Sequence, residues 1–136
     1  MNEDVKVVFN MKMSHNRDEH VVEFESSGKR YKKKEATFLL FNEPVAENKA
    51  FNRVTCILYP QHLTIIRKGL TEMNQKFSLN DVTIGFFQNQ YGKIETKVLT
   101  KDYQYKDDVM TLTYDMLSDG VVVGKYELNI QIKGVV

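Results

Sequence analysis

The sequence predicts an all-β protein: one antiparallel barrel over residues 1–136, with about eight to ten strands, the ordinary count for small barrels. Three observations carry this expectation. Apolar residues recur at every second position through most of the chain, the period at which a strand sends side chains to opposite faces. No segment of helical length carries an i, i+3, i+4, i+7 apolar stripe. The first and last strands are both long and regularly alternating. Left as free edges they would invite aggregation, and closure removes both edges.

In the first strand Val5, Val7, Phe9, Met11 and Met13 alternate with Lys6, Asn10 and Lys12, and Val8 breaks the pattern. His15 to Glu19 is a polar turn. Val22 and Phe24 alternate with Glu23 and Glu25 until Gly28 ends or bends the strand, and the KRYKKK run from Lys29 caps a hairpin. Thr37 to Asn42 is apolar on both faces, as an enclosed strand is. Glu43 to Asn52 contains Pro44 and has no period, so it is expected as a loop with room for a short helical turn. Arg53 to Tyr59 and His62 to Arg67 are strands parted by Pro60. Lys68-Gly69-Leu70 turns the chain into Thr71 to Phe77, and strands follow over Val82 to Gln88, Ile94 to Lys101, Val109 to Met116 and Val121 to Lys133.

Side-chain parity then sets the turns. Met110, Leu112, Tyr114 and Met116 share parity with Tyr126, Leu128, Ile130 and Ile132. A two-residue Asp119-Gly120 turn would pair Ser118 with Val121 and set Tyr114 against Lys125, an apolar row against a charged one. The expectation is therefore a three-residue Ser118-Asp119-Gly120 loop with Gly120 at positive φ, placing Tyr114 opposite Gly124. By the same reasoning an odd-length loop near Gln90 to Gly92 would put Val82, Ile84 and Phe86 on one face with Ile94, Thr96 and Val98.

Composition narrows the function. Nineteen Lys+Arg against 18 Asp+Glu leave a net charge of +1, so no global field draws the chain to nucleic acid or an anionic membrane. The single cysteine, Cys56, cannot form an internal disulfide. No apolar run is long enough for a membrane helix, and the charged, alternating start lacks the layout of a signal peptide. A reducing cytoplasm is the expected setting.

The stretch from Arg67 to Phe77, RKGLTEMNQKF, resembles the central motif of the YwiB-like proteins, with Met73-Asn74-Gln75 and Phe77 its sharpest part. TIGFFQNQYGKIETKVLT, Thr83 to Thr100, and LTYDM, Leu112 to Met116, follow in the family's order. The family's pattern has a threonine two positions before the Tyr91-Gly92 turn, where this chain has Asn89. The resemblance spans nearly the whole chain. It implies a lipocalin-like (calycin) β-barrel of bacterial, cytoplasmic origin, and it assigns no activity. Fold alone does not supply one.

The sequence carries no G-x-S-x-G, H-E-x-x-H or phosphate-loop motif, and an enzyme is the third choice among function classes. Cys56 lies in an apolar strand, as a small core residue does. His15, His20 and His62 form no close pair with metal-ligand spacing, so neither a metal nor another cofactor is expected. Asp102, Asp107 and Asp108 read as solvated loop carboxylates. The favoured function is a non-catalytic binding module for a small, partly apolar ligand in the barrel interior. Its walls would be Met73, Phe77, Phe86 and Met110, with Met116 beside them, and its polar groups Arg67 and Tyr114. Arg67, in parity with Leu63 and Ile65, would point inward to stack on a ring or hold an anionic group. The alternative is an interaction protein whose basic hairpin, Lys29, Arg30, Lys32, Lys33 and Lys34, contacts a polyanion or a partner protein. Those lysines equally suit a guarded strand edge.

Overall fold

The computed structural model describes residues 2–45 and 50–134. Alternating patterns become ten strands: β1 (Asn2–His15), β2 (Asp18–Lys33), β3 (Ala36–Val45), β4 (Ala50–Leu58), β5 (His62–Lys68), β6 (Glu72–Ser78), β7 (Val82–Asn89), β8 (Gly92–Lys106), β9 (Val109–Ser118) and β10 (Val121–Gly134). Each strand pairs antiparallel with its neighbours in sequence. The two terminal strands pair with each other, from Val5↔Gly134 to Ser14↔Lys125, and the barrel closes. β1 and β10 thus cover each other's edges, and neither terminal strand is left free along its length.

Up-and-down order sends the β1–β2, β5–β6, β7–β8 and β9–β10 turns to one end, here called the open end. The β2–β3, β4–β5, β6–β7 and β8–β9 turns, the start of β1 and the end of β10 lie at the other. That second end is closed. Val5, Val7, Leu39, Leu58, Leu63, Met110, Leu112 and Ile130 are almost wholly buried there and in the adjoining middle of the barrel. Tyr103 Oη donates to the Tyr59 carbonyl at 2.7 Å. Arg30 lies across the end, with Nη1 2.6 Å from Asp108 Oδ1 and a second ion pair to Glu3.

Pairing is incomplete at two corners. β6 and β7 pair only from Glu72↔Gln88 to Asn74↔Phe86, and β2 pairs with β3 only from Gly28↔Phe41 to Lys33↔Ala36. The second gap is covered from inside by Phe9, Phe24 and Phe41, the first two stacked at 4.6 Å. Gly28 does not end its strand. It sits where β2 curves to meet β3, and a methyl there would come 2.6 Å from the Leu40 carbonyl oxygen.

Several sequence expectations need correction. The last hairpin has a two-residue Asp119-Gly120 turn with Ser118 paired to Val121; both turn residues have positive φ (52° and 76°). The register is restored inside the strand, where β10 bulges between Val122 and Gly124. The even rows still meet, but Tyr114 faces Tyr126 and not Gly124. The β7–β8 turn is also two residues long, with Asn89↔Gly92, and no bulge follows. Phe87 therefore pairs with Ile94, Phe86 with Glu95, and Val82 and Ile84 face outward, 55% and 61% exposed. Glu43 to Val45 and Ala50 to Asn52 are strand and not loop, while the expected helical turn falls partly on residues 46–49, outside the described residues. β8 runs through a bulge at Thr100/Asp102, so Asp102 lies in a strand and only Asp107 and Asp108 form the turn.

Candidate functional site

A cavity of about 420 Å³ occupies the open half of the barrel between β6 and β10. Inward positions of five strands build it: Met73, Gln75 and Phe77 on β6, Phe87 on β7, Thr96 and Val98 on β8, Tyr114 and Met116 on β9, Val123 and Tyr126 on β10. The wall is chiefly aromatic and thioether. Phe77 packs at 4.7 Å and 52° against Tyr114, which stacks in parallel on Tyr126 at 4.8 Å. That stack depends on the β10 bulge and on Gly124, where a methyl would lie 3.1 Å from Tyr126 Cε1. At the mouth Leu70, Tyr91, Ile94, Val121 and Val122 stand exposed on the hairpin tips as an apolar collar.

The floor is polar but satisfied. Gln75 is 3% exposed. Its amide donates to the Lys76 carbonyl at 3.0 Å and to Thr83 Oγ1 at 3.3 Å, and its oxygen accepts from Thr96 Oγ1. Gly85 makes the room, since a methyl there would come 2.7 Å from Gln75 Cδ. This cluster bridges the unpaired part of the β6–β7 corner. Tyr114 differs: it is 8% exposed, and neither its hydroxyl nor that of Tyr126 has a hydrogen-bond partner among the described residues. Burial pushes the Tyr114 hydroxyl well above the ordinary tyrosine range; Tyr126 adds to the shift and Arg67 opposes it. The group is a protonated donor that keeps solvent access from the cavity and has no protein acceptor among the described residues.

Arg67 points inward as expected, between Val54 and Met73 in the ladder. It neither stacks on a ring nor stands free. Glu43 faces it, with Nε 3.0 Å from Oε1 and Nη2 3.2 Å from Oε2, and the two side chains are 14% and 17% exposed. The Nε hydrogen is not aimed at Oε1 and makes no hydrogen bond there, but attraction between the charges needs only the distance. Asn52 Nδ2 donates to Glu43 at 2.9 Å and to Thr71 Oγ1 at 3.1 Å. Gly69, at φ 153°, lets the β5–β6 turn lie on Asn52; a methyl there would come 2.9 Å from the Phe51 carbonyl oxygen. Arg67 Nη1 also reaches Met73 Sδ at 3.5 Å, which joins this clamp to the cavity wall.

Of the residues singled out in the sequence, Met73, Phe77, Tyr114 and Met116 line one cavity, with Arg67 beside it. Two do not belong. Phe86 lies outside under Lys93, whose Nζ is 4.4 Å from the ring centroid, because the even-length turn inverts its parity. Met110, wholly buried, fills the closed half. Phe87, Gln75, Thr96, Tyr126 and Glu43 were missed. A two-residue turn at Gln90-Tyr91 would have revealed Phe87, but nothing local marks Glu43 as the partner of a residue on another strand.

The model of the Domain of unknown function (DUF1934) matches residues 6–130. The chain belongs to the DUF1934 family. A solved structure, the crystal structure of ywiB protein from Bacillus subtilis, is similar with a TM-score of 0.85 at 20% identity, over 99% of this chain and 94% of that one. At that identity the likeness bears on the fold alone. No match was found among curated proteins.

Elsewhere in this DUF1934 barrel the basic hairpin divides. Lys29 pairs with Asp4 at 2.8 Å and Arg30 is taken by Glu3 and Asp108, whereas Lys32, Lys33 and Lys34 are exposed. Cys56 is 1% exposed, and burial pushes its thiol up to about 12, which suits a core residue and not a nucleophile. His15 and His20 lie toward the open end, His62 at the closed end stacked on Tyr59 at 4.3 Å. Among the described residues no cluster of three His, Cys, Asp or Glu could hold a metal.

Proposed function

We propose that this barrel is a non-catalytic, lipocalin-like binding module that takes a small, partly apolar molecule into its open-end cavity, in the reducing cytoplasm of a bacterium. One observation carries the reading: an aromatic and thioether cavity of about 420 Å³ into which a nine-tenths buried tyrosine brings a hydroxyl with no protein acceptor among the described residues. The volume lies within the range of ordinary small-molecule sites, apolar walls supply the burial, and a few fixed polar groups set orientation. The collar of Leu70, Tyr91 and Ile94 extends that apolar surface to the mouth. The test is titration with the neutral apolar fluorophore N-phenyl-1-naphthylamine. Saturable binding of one probe per chain, lost when Met116→Trp fills the cavity in a variant that melts like the parent, supports the reading. Absence of probe binding to the parent protein refutes it.

A second reading rests on Lys32, Lys33 and Lys34, exposed together at the β2–β3 turn, which suit a polyanion. Retention on single-stranded nucleic acid that falls steeply with salt and disappears when all three become alanine would favour it, and retention indifferent to salt would count against it.

A further inference from the structure

We propose that the molecule this cavity takes is neutral and planar and carries a hydrogen-bond acceptor, and that the site discriminates against charged ligands of the same shape. The inference rests on the binding reading above and names its ligand class.

Shape comes from the walls. The parallel Tyr114–Tyr126 stack, Phe77 tilted against it, and the thioethers of Met73 and Met116 present ring faces and polarisable sulfur, which favour a flat π-system. Polarity comes from the hydroxyls. Tyr114 lines the cavity and its hydroxyl keeps solvent access, so a ligand that displaces that solvent must bring an acceptor or leave the donor unpaired, since Gln75 and Thr96 are already committed to each other. A ligand carbonyl or ring nitrogen would complete the Tyr114 bond.

Charge comes from the clamp. Among the described residues Arg67 is the cation beside the cavity, and both oxygens of Glu43 face it. The Arg67–Glu43 pair cancels, so among the described residues that line the cavity an incoming carboxylate finds no unpaired positive group and would lose its hydration for nothing. Glu95 at the rim repels a carboxylate, but it shares the outer face with Phe86 and gives an ammonium no partner inside the cavity. An incoming ammonium finds Glu43 already taken. The expectation that Arg67 would hold an anionic ligand group is therefore replaced by one in which Glu43 silences it.

Four naphthalenes of one shape separate these ideas in calorimetric titrations at pH 7: 2-acetylnaphthalene, naphthalene, 2-naphthoate and 2-naphthylmethylammonium. The ketone should bind at least tenfold tighter than either ion. Tyr114→Phe should weaken the ketone about fivefold or more and leave naphthalene unchanged. Glu43→Gln, which exposes the Arg67 charge, should strengthen 2-naphthoate at least tenfold while the ketone stays within twofold. If either ion matches the ketone on the parent protein, or Tyr114→Phe leaves the ketone unaffected, this inference is overturned while the pocket itself stands. That first comparison needs no variant. If none of the four binds, the pocket reading falls and takes the inference with it.

Discussion

The Arg67–Glu43 pair invites a double-mutant cycle. Both side chains are more than four-fifths buried, and both carboxylate oxygens lie within 3.2 Å of the guanidinium. Exposed ion pairs contribute about 0–1 kcal/mol, whereas removing one partner of a buried pair costs about 3–5 kcal/mol because the other charge is left stranded. In Arg67→Met the stranded Glu43 keeps the Asn52 amide at 2.9 Å, which offsets part of the penalty. The expected loss is therefore at the low end, about 2–3 kcal/mol. Glu43→Gln leaves Arg67 near a neutral acceptor and should cost about 2 kcal/mol by the same reasoning. Removing both charges together should cost only about 1 kcal/mol, so the coupling is about 3 kcal/mol or more. Urea unfolding of the four proteins measures it. Additive single losses, with coupling under about 0.5 kcal/mol, would mean that solvent screens the pair, and the charge-cancelling role of Glu43 would go with it.

Three more perturbations follow from other parts of the barrel. Burial pushes the Cys56 thiol from 9.0 up to about 12 and raises the Tyr103 and Tyr114 hydroxyls in the same direction. A group with a raised folded pKa supports the fold fully below its unfolded pKa and withdraws that support as pH climbs toward the folded one. Stability should hold near pH 8 and fall above about pH 9, with Cys56 alone costing about 1.4 kcal/mol by pH 10. Urea midpoints at the two pH values check this, and a level profile contradicts it. Arg30→Met unties Glu3 and Asp108 from the closed end and should cost about 1–2 kcal/mol, between the exposed and buried limits. Amide exchange should quicken at Val5 and Val109 and stay unchanged at Phe87. Gly120→Ala, at φ 76°, should cost about 1 kcal/mol without altering probe affinity. Gly124→Ala displaces the Tyr126 ring and should alter affinity more than stability; the reverse ordering would dissociate Gly124 from the cavity.

The strand pattern was legible because alternation is a local signal. Val5, Val7 and Phe9 announce a half-buried strand whatever their partners. The corrections cluster where parity passes through a turn. Asp119-Gly120 and Gln90-Tyr91 are both two-residue turns, yet one hairpin bulges at Val123 and the other does not. One residue of slip carries a whole row to the other face. The first case left Met110, Leu112 and Tyr114 inside as expected, and the second put Phe86 outside and Phe87 in.

By itself, then, the sequence determined an antiparallel wall of alternating strands, the need to cover its two long ends and the parity that Arg67 shares with Leu63 and Ile65, since each follows from short-range periodicity and from the cost of bare edges. Only the tertiary structure decided which end is packed and which is hollow, that Gly124 makes room for Tyr126, and that Glu43 meets Arg67 across the rim. Those outcomes depend on bulges and on contacts between residues far apart in the chain, whose energies are set by the volume and charge that neighbouring strands bring to one place.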